Sequence, residues 1–146
     1  HSACFTGDIF HSRKCDCGEQ LNNSLNYMIK NKGGIILYLD QEGRGIGLAN
    51  KMRAYSLQSK GLDTIDADHN IGFLDDERDF NIAAKILKLL KVNKVNIITN
   101  NFTKVSSLKK AGIKIAKQIN TKPTINSNQY TRGCRWSGSD FLPVEP

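Results

Sequence analysis

Three of the four cysteines fall close together, as Cys4-x10-Cys15-x-Cys17, with Cys134 far away toward the C-terminus. Clustered thiols without a secretion signal bind metal more often than they pair as disulfides, and soft thiolates select Zn2+. Cys15 and Cys17, one residue apart, are poorly placed to bond each other. Two readings of the cluster stand side by side. Either His1 or His11 completes a closed, four-ligand structural site, or three thiols leave the fourth position of an open, catalytic zinc to water. An open zinc offers hydroxide at neutral pH and a Lewis acid for a polar substrate atom. Asp8, Asp16, Glu19 and Gln20 make the surroundings polar enough to orient both.

Two acid–arginine constellations lie further along. Gln41-Glu42-Gly43-Arg44-Gly45-Ile46-Gly47 puts a carboxylate and a guanidinium on a glycine-rich turn. It is not a Walker A loop, because no Gly-Lys-Ser/Thr follows, and the Rossmann spacing G-x-G-x-x-G is absent. A carboxylate nevertheless suits the N1–H and exocyclic amine of guanine, and an arginine suits phosphate in a forked geometry. The second, Asp75-Asp76-Glu77-Arg78-Asp79, concentrates four acids around one arginine. It reads either as a helix start, where acids are favoured, or as a second piece of chemistry.

These groups need elements to hold them. Leu21, Leu25, Met28 and Ile29 place an apolar stripe on a helix that closes near Gly33-Gly34. A short buried strand is expected over 35–39, leading into the glycine turn and then a helix around 50–59. Ile82, Ala83, Ile86, Leu87 and Leu90 predict another amphipathic helix, followed by a strand over 95–99, a short helix over 105–111 and a strand over 113–119. Helices interleaved with short apolar strands indicate a compact α/β domain, with α+β as the variant. Residues 1–122 form the expected domain. The polar segment 123–146 is expected to be loop or disorder, with Trp136 and Phe141 packing back onto the domain as the alternative.

The length of 146 residues suits one domain. No apolar run approaches the roughly 18 residues that span a bilayer, and His1-Ser2-Ala3-Cys4 has neither a basic leader nor an apolar signal segment. A cytoplasmic protein without membrane contact is expected, its missing initiator Met suggesting a processed chain or an excised domain. The net charge of +7 raises nucleic acid as a partner. Its distribution argues otherwise. Residues 1–80 hold nine basic and twelve acidic side chains, whereas residues 81–146 hold twelve basic and two acidic. A small polyanionic substrate explains that polarity, and aromatic–basic interleaving for base stacking is missing. Lys85, Lys88, Lys91 and Lys94, at near-helical spacing, form either a solvated face or a phosphate-facing one.

Taken in order, these motifs resemble the GTP cyclohydrolase II family. The resemblance rests on Thr6-Gly7-Asp8, Cys15-Asp16-Cys17-Gly18-Glu19-Gln20-Leu21, the turn from Gln41 to Leu48, Asn50-Lys51, Arg53-Ala54-Tyr55, Asp63-Thr64, Gly72-Phe73, Asp76-Glu77-Arg78 and Thr99-Asn100-Asn101 with Lys104. It runs from His1 to about Ile119, with Phe102 standing where the family usually has proline. It implies zinc-dependent hydrolysis of GTP that opens the imidazole ring and releases formate and pyrophosphate, leaving 2,5-diamino-6-(5-phosphoribosylamino)pyrimidin-4(3H)-one, as the first step of riboflavin biosynthesis. Cys4, Cys15 and Cys17 are then the zinc ligands, with zinc-bound water attacking C8 and Tyr55 assisting. Asp76 becomes the proton acceptor and Arg78 the nucleophile that takes the α-phosphate, or alternatively an electrostatic clamp. Gln20, Glu42, Gly43, Arg44, Thr64, Thr99 and Lys104 become GTP contacts, and His1-Ser2-Ala3 match the end of a further contact segment. The resemblance also implies magnesium on the triphosphate, a homodimer, and possible fusion to another riboflavin-pathway domain. A domain that binds GTP without catalysis, and an enzyme that stops at a formamidopyrimidine, are the competing expectations.

Overall fold

The computed structural model describes residues 1–121 apart from Asp75 and the side chain of Thr64. The expectations for 123–146, including Trp136, Phe141 and Cys134, lie outside the described residues. The chain divides into two compact units, one formed by His1–Arg78 and one starting at Asp79.

In the first unit a single π-helical turn, Phe5–Ile9, follows Cys4, and α1 spans Cys17–Lys30. Gly33 closes α1: its N–H bonds the Met28 carbonyl at 2.7 Å with φ at +104°, the left-handed stop that glycine allows. The apolar stripe of α1 is only partly covered, since Leu25 and Ile29 stay exposed among the described residues. Gly18 is its buried position, and a Cβ there would run into the Gly7 carbonyl.

The strand expected over 35–39 forms no ladder. Those residues are joined to the N-terminal segment by one parallel bridge, Ser2 with Leu39, flanked by Ala3 N–H to Leu39 O at 2.7 Å and Leu39 N–H to His1 O at 2.8 Å. An apolar run with β-branched residues favours extended backbone, but a ladder also needs a partner strand alongside, and here the pairing is confined to this bridge. The glycine turn follows as a tight 3₁₀ turn, Glu42–Gly45, and α2 spans Gly47–Gln58, opening earlier than periodicity suggests. A short α3, Thr64–Asn70, packs on α2 and is capped by Asp63, whose side chain accepts the Asp66 N–H at 2.8 Å.

The second unit contains α4 (Asn81–Leu89), β1 (Lys94–Ile98), α5 (Phe102–Lys110) and β2 (Lys114–Ile119). Strands β1 and β2 are parallel and joined through α5, a βαβ unit of the α/β class. Phe80, Ala84, Leu87, Val105, Leu108 and Ile113 form its apolar interior. Lys85, Lys88, Lys91 and Lys94 are all exposed, as either a solvated or a phosphate-facing surface requires. Among the described residues no helix is long and apolar enough to cross a membrane.

One glycine carries more than a turn. Gly45 has φ at +98°, and a Cβ on it would lie 2.9 Å from the Glu77 carbonyl carbon. Gly45→Ala is therefore expected to lower stability by about 2 kcal/mol, combining left-handed strain with displacement of Glu77. The midpoint of urea unfolding reads this directly; an unchanged midpoint would contradict the close packing.

Candidate metal centre and active site

The π turn and the start of α1 bring three sulfurs together. The Sγ atoms of Cys4, Cys15 and Cys17 lie within 4.8 Å of one another, with Cys4 and Cys15 at 3.6 Å, and all three cysteines are unpaired in the disulfide sense. Tetrahedral coordination with Zn–S near 2.3 Å puts sulfurs roughly 3.8 Å apart, so this donor set fits a thiophilic divalent ion. Gly7 makes the space: a Cβ there would lie 2.9 Å from Cys15 Sγ and 3.1 Å from Cys4 Sγ. A fourth protein ligand does not join them among the described residues. His1 Nε2 is occupied by both oxygens of Asp8, each at 3.1 Å, and His11 is exposed. Among the described residues, then, neither His1 nor His11 completes a closed four-ligand site.

The electrostatics of the cluster follow from crowding. Hydrogen bonds from Cys15 and Cys17, helped by Lys51, hold the Cys4 thiol far below its ordinary range. Cys17 is pushed up by its two thiol neighbours and by burial. Cys15 is also raised, Cys17 favouring its thiolate but Cys4 and burial outweighing that. One thiolate is easily formed; the next two need a cation.

Helix α2 backs the cluster. Lys51 and Tyr55 are four residues apart and so share one helical face. Lys51 is 8% exposed, and its Nζ donates to Glu42 Oε1 at 2.7 Å, Thr6 Oγ1 at 2.8 Å and Cys4 Sγ at 3.0 Å. Burial alone would push this ammonium down, but the Glu42 carboxylate and Cys4 sulfur hold it above the usual lysine range. The half-buried Tyr55 lies under Lys14 Nζ, 4.7 Å from the ring centroid, and Lys51 Nζ, 5.7 Å away. Burial pushes its hydroxyl up to about 12, so it remains protonated at neutral pH.

Glu42 differs from expectation. Instead of presenting a carboxylate to a guanine edge, it is 9% exposed and bonded inward, Oε1 to Lys51 and to Gly43 N–H at 2.8 Å, Oε2 to Phe5 N–H at 2.5 Å. A buried carboxylate takes the nearest donors, and here those are a buried lysine and two amides. The effect is to tie the residue after Cys4 to the glycine turn. In that turn Gly43 and Arg44 are both left-handed, with φ of 61° and 59°. For arginine this is strained backbone, of the kind that clusters at functional sites.

The turn meets the second acid–arginine constellation. Glu77 N–H bonds Arg44 O at 2.9 Å, which sets Asp76 and Arg78 beside it. Asp76 and Arg78 form a two-pronged pair, Arg78 Nε to Oδ1 at 2.7 Å and a terminal guanidinium nitrogen to Oδ2 at 2.5 Å. Burial would raise the Asp76 carboxyl, but Arg78, and Arg44 more weakly, hold it below the usual carboxylate range. The helix-start reading is also partly met, since Asp79 Oδ1 accepts the Asn81 N–H at 2.8 Å at the head of α4.

The remaining candidates are placed as follows. Gln20 Nε2 bonds Asp16, buried between the two cysteines, at 2.8 Å. Ser2 and Ala3 sit in the bridge to Leu39, and Thr64 opens α3. In the second unit Thr99 is buried at the carboxyl end of β1 and accepts Asn101 N–H at 3.1 Å, while Lys104, in the first turn of α5, lies 5.5 Å over the Phe80 ring. Carboxyl ends of parallel strands are where α/β folds bind ligands.

Sequence reasoning passed over Lys51 as a site residue and took Asp8 only as part of the polar surroundings of the thiols. Lys51 was legible from its spacing to Ala54 and Tyr55, which puts a charge on the inward face of α2. Asp8 accepts Cys4 N–H at 3.0 Å and Tyr38 O–H at 2.7 Å besides His1, and so fixes the backbone of a thiol ligand. Cys4 and His1 are close to it in sequence, but Tyr38, thirty residues on, leaves no local signal.

Comparison with known proteins fits this geometry. The sequence model of the GTP cyclohydrolase II family matches residues 1–120. The chain is 54% identical over 121 residues to GTP cyclohydrolase-2 of Aliivibrio fischeri (strain MJ11), covering 83% of this chain and 60% of that protein. It is 51% identical over 132 residues to riboflavin biosynthesis protein RibBA of Staphylococcus aureus (strain COL), covering 89% of this chain and 33% of that protein. It therefore spans about 60% of the one relative's length and a third of the other's. On a match that takes in every element from the π turn to β2, this chain belongs to the GTP cyclohydrolase II family.

Proposed function

We propose that the chain opens the imidazole ring of GTP, releasing formate and pyrophosphate and leaving 2,5-diamino-6-(5-phosphoribosylamino)pyrimidin-4(3H)-one, the entry into riboflavin biosynthesis. The observation that carries this reading is the gathering of Cys4, Cys15 and Cys17 against Tyr55 in the same unit as the Arg44, Asp76 and Arg78 cluster. Zinc held by the three thiolates would supply Lewis acidity and hydroxide at neutral pH for hydration of C8. Tyr55, protonated at neutral pH, donates a hydrogen bond to a purine ring nitrogen as C8 is hydrated. Gly43 and Arg44, held in place by Glu42, meet the substrate, with Arg44 on phosphate. Gln20, Thr64, Thr99, Lys104 and the His1–Ala3 segment are further GTP contacts on the family resemblance.

Arg78 takes the α-phosphate as its bond to the pyrophosphate oxygen breaks, and water then cleaves the P–N bond so that the phosphate leaves with the phosphoribosyl product. As a nucleophile it needs Asp76 to accept its proton, and the fork between them puts that acceptor on the guanidinium. A second reading is favoured by the depressed Asp76 carboxyl, which is a weak base. In it Asp76 orients a permanently charged Arg78, which clamps the transferring group. Magnesium on the triphosphate, a homodimer, a cytoplasmic setting and a further riboflavin-pathway domain complete the proposal.

The test is identification by mass of the product from GTP incubated with zinc and magnesium. The diaminopyrimidine phosphate with one formate and one pyrophosphate is expected. A product that retains the formyl group would indicate a partial reaction. GTP that binds and returns unchanged would make the chain a binding domain.

A further inference from the structure

An ammonium group has three N–H donors. At Lys51 each has an acceptor within the protein: Glu42 Oε1, Thr6 Oγ1 and Cys4 Sγ at 2.7, 2.8 and 3.0 Å. The side chain is only 10% exposed, so no donor remains to reach a phosphate. A lysine spent in this way acts on its own neighbours, and one of them is a proposed metal ligand.

Three thiolates around a divalent cation carry one net negative charge, which is costly to keep in a buried site unless a cation lies beside it. We propose that Lys51 is the fixed counter-charge of the three-thiolate metal site, held by Glu42 so that it donates an N–H···S hydrogen bond to Cys4. It thereby strengthens metal retention and limits the charge that the Cys4 sulfur passes to the metal. Lys51 is a positioning residue, acting through Cys4. Glu42 has a double part: Oε1 holds the ammonium, and Oε2, on Phe5 N–H, fixes the residue next to the ligand. The inference rests on the reading of Cys4, Cys15 and Cys17 as a metal site.

The test uses the full chain and Lys51→Met, which keeps the length of the side chain and removes the charge. Zinc affinity is read by competition with a chromophoric chelator, and Lys51→Met is expected to weaken it on the order of 10–100-fold, the usual cost of losing a partner of a metal ligand. In the cobalt-loaded proteins the thiolate-to-metal charge-transfer band is expected to move to lower energy, because a sulfur without its hydrogen bond gives up charge more readily. Lys51→Arg is expected to bring both readouts back toward wild type. An ion pair that merely braces the fold would leave the band where it is. Zinc affinity within about twofold of wild type and an unmoved band in a folded Lys51→Met protein would overturn the proposal. If Lys51→Met does not fold, the wild-type chain loaded with cadmium-113 decides. Coupling between the Lys51 ammonium protons and the metal supports the hydrogen bond, and exchange with water as fast as at exposed lysines overturns it. A wild-type chain that takes up neither zinc nor cobalt would instead remove the metal reading itself.

Discussion

Cys15→Ser is expected to abolish formate release from GTP and to leave the purified protein without stoichiometric zinc. Cys15 Sγ is 3.6 Å from Cys4 Sγ and would lie 2.9 Å from a Cβ on Gly7, and it is one of three donors with no protein substitute among the described residues. Serine is nearly isosteric, so the change spares the packing and isolates the donor. A hydroxyl is a hard donor that stays protonated where a thiol beside a cation ionises, and zinc loses one soft anionic ligand of three. Zinc sites with four protein ligands bind with about 10–16 kcal/mol, so each ligand accounts for roughly 3–4 kcal/mol, or about 10²–10³-fold in affinity. Metal content after desalting and formate measured in the same sample check this together. A metal-free variant that still releases formate at the wild-type rate would remove the thiols from the reaction.

How far the sequence carried this site depends on how local each interaction is. Helices α1 and α4 followed from apolar spacing, and α4, β1, α5 and β2 appear within three residues of their expected limits, whereas α3 carries no such stripe and was not expected. The stretch 35–39 looked like a strand on the same kind of signal. Its apolar run is real, but pairing depends on what lies alongside, and only the Ser2–Leu39 bridge forms. The three thiols were legible as a cluster from their spacing, and Asp76 with Arg78 as neighbours in the chain. Glu42 was legible as a carboxylate on a glycine turn but not as an inward-facing one. Its orientation is set by Lys51, nine residues on, and by the Phe5 amide, thirty-seven residues back, and no local pattern encodes that agreement.

Arg78→Ala is expected to lower pyrophosphate release from GTP by about 10³-fold or more, the scale on which an arginine at a transferring phosphoryl group acts. Both proposed roles of Arg78 end with the guanidinium, so continued normal release would reject both. Arg78→Lys separates them in part: it keeps a cation near the α-phosphate but loses the fork that Asp76 holds at 2.7 and 2.5 Å. A covalent role is read from the mass of wild-type protein quenched during turnover, which rises by one guanylyl group if Arg78 is the nucleophile and stays unchanged if it is a clamp. Fold stability should barely respond at neutral pH, since the pair is partly exposed and such pairs contribute under about 1 kcal/mol. Its acid dependence should respond. Arg78 outweighs burial and depresses the Asp76 carboxyl in the folded protein. The stability from the pair is therefore fully present above the ordinary aspartate value of about 3.9, and is lost as pH falls through the lower folded value. In Arg78→Ala burial is opposed only by the backbone N–H of residue 78 and the weaker Arg44, so Asp76 takes up its proton at higher pH than in wild type. Titration of the Asp76 carboxyl carbon by NMR in the two proteins checks the direction. An Asp76 that titrates at the same pH in both would mean that the arginine does not set its charge.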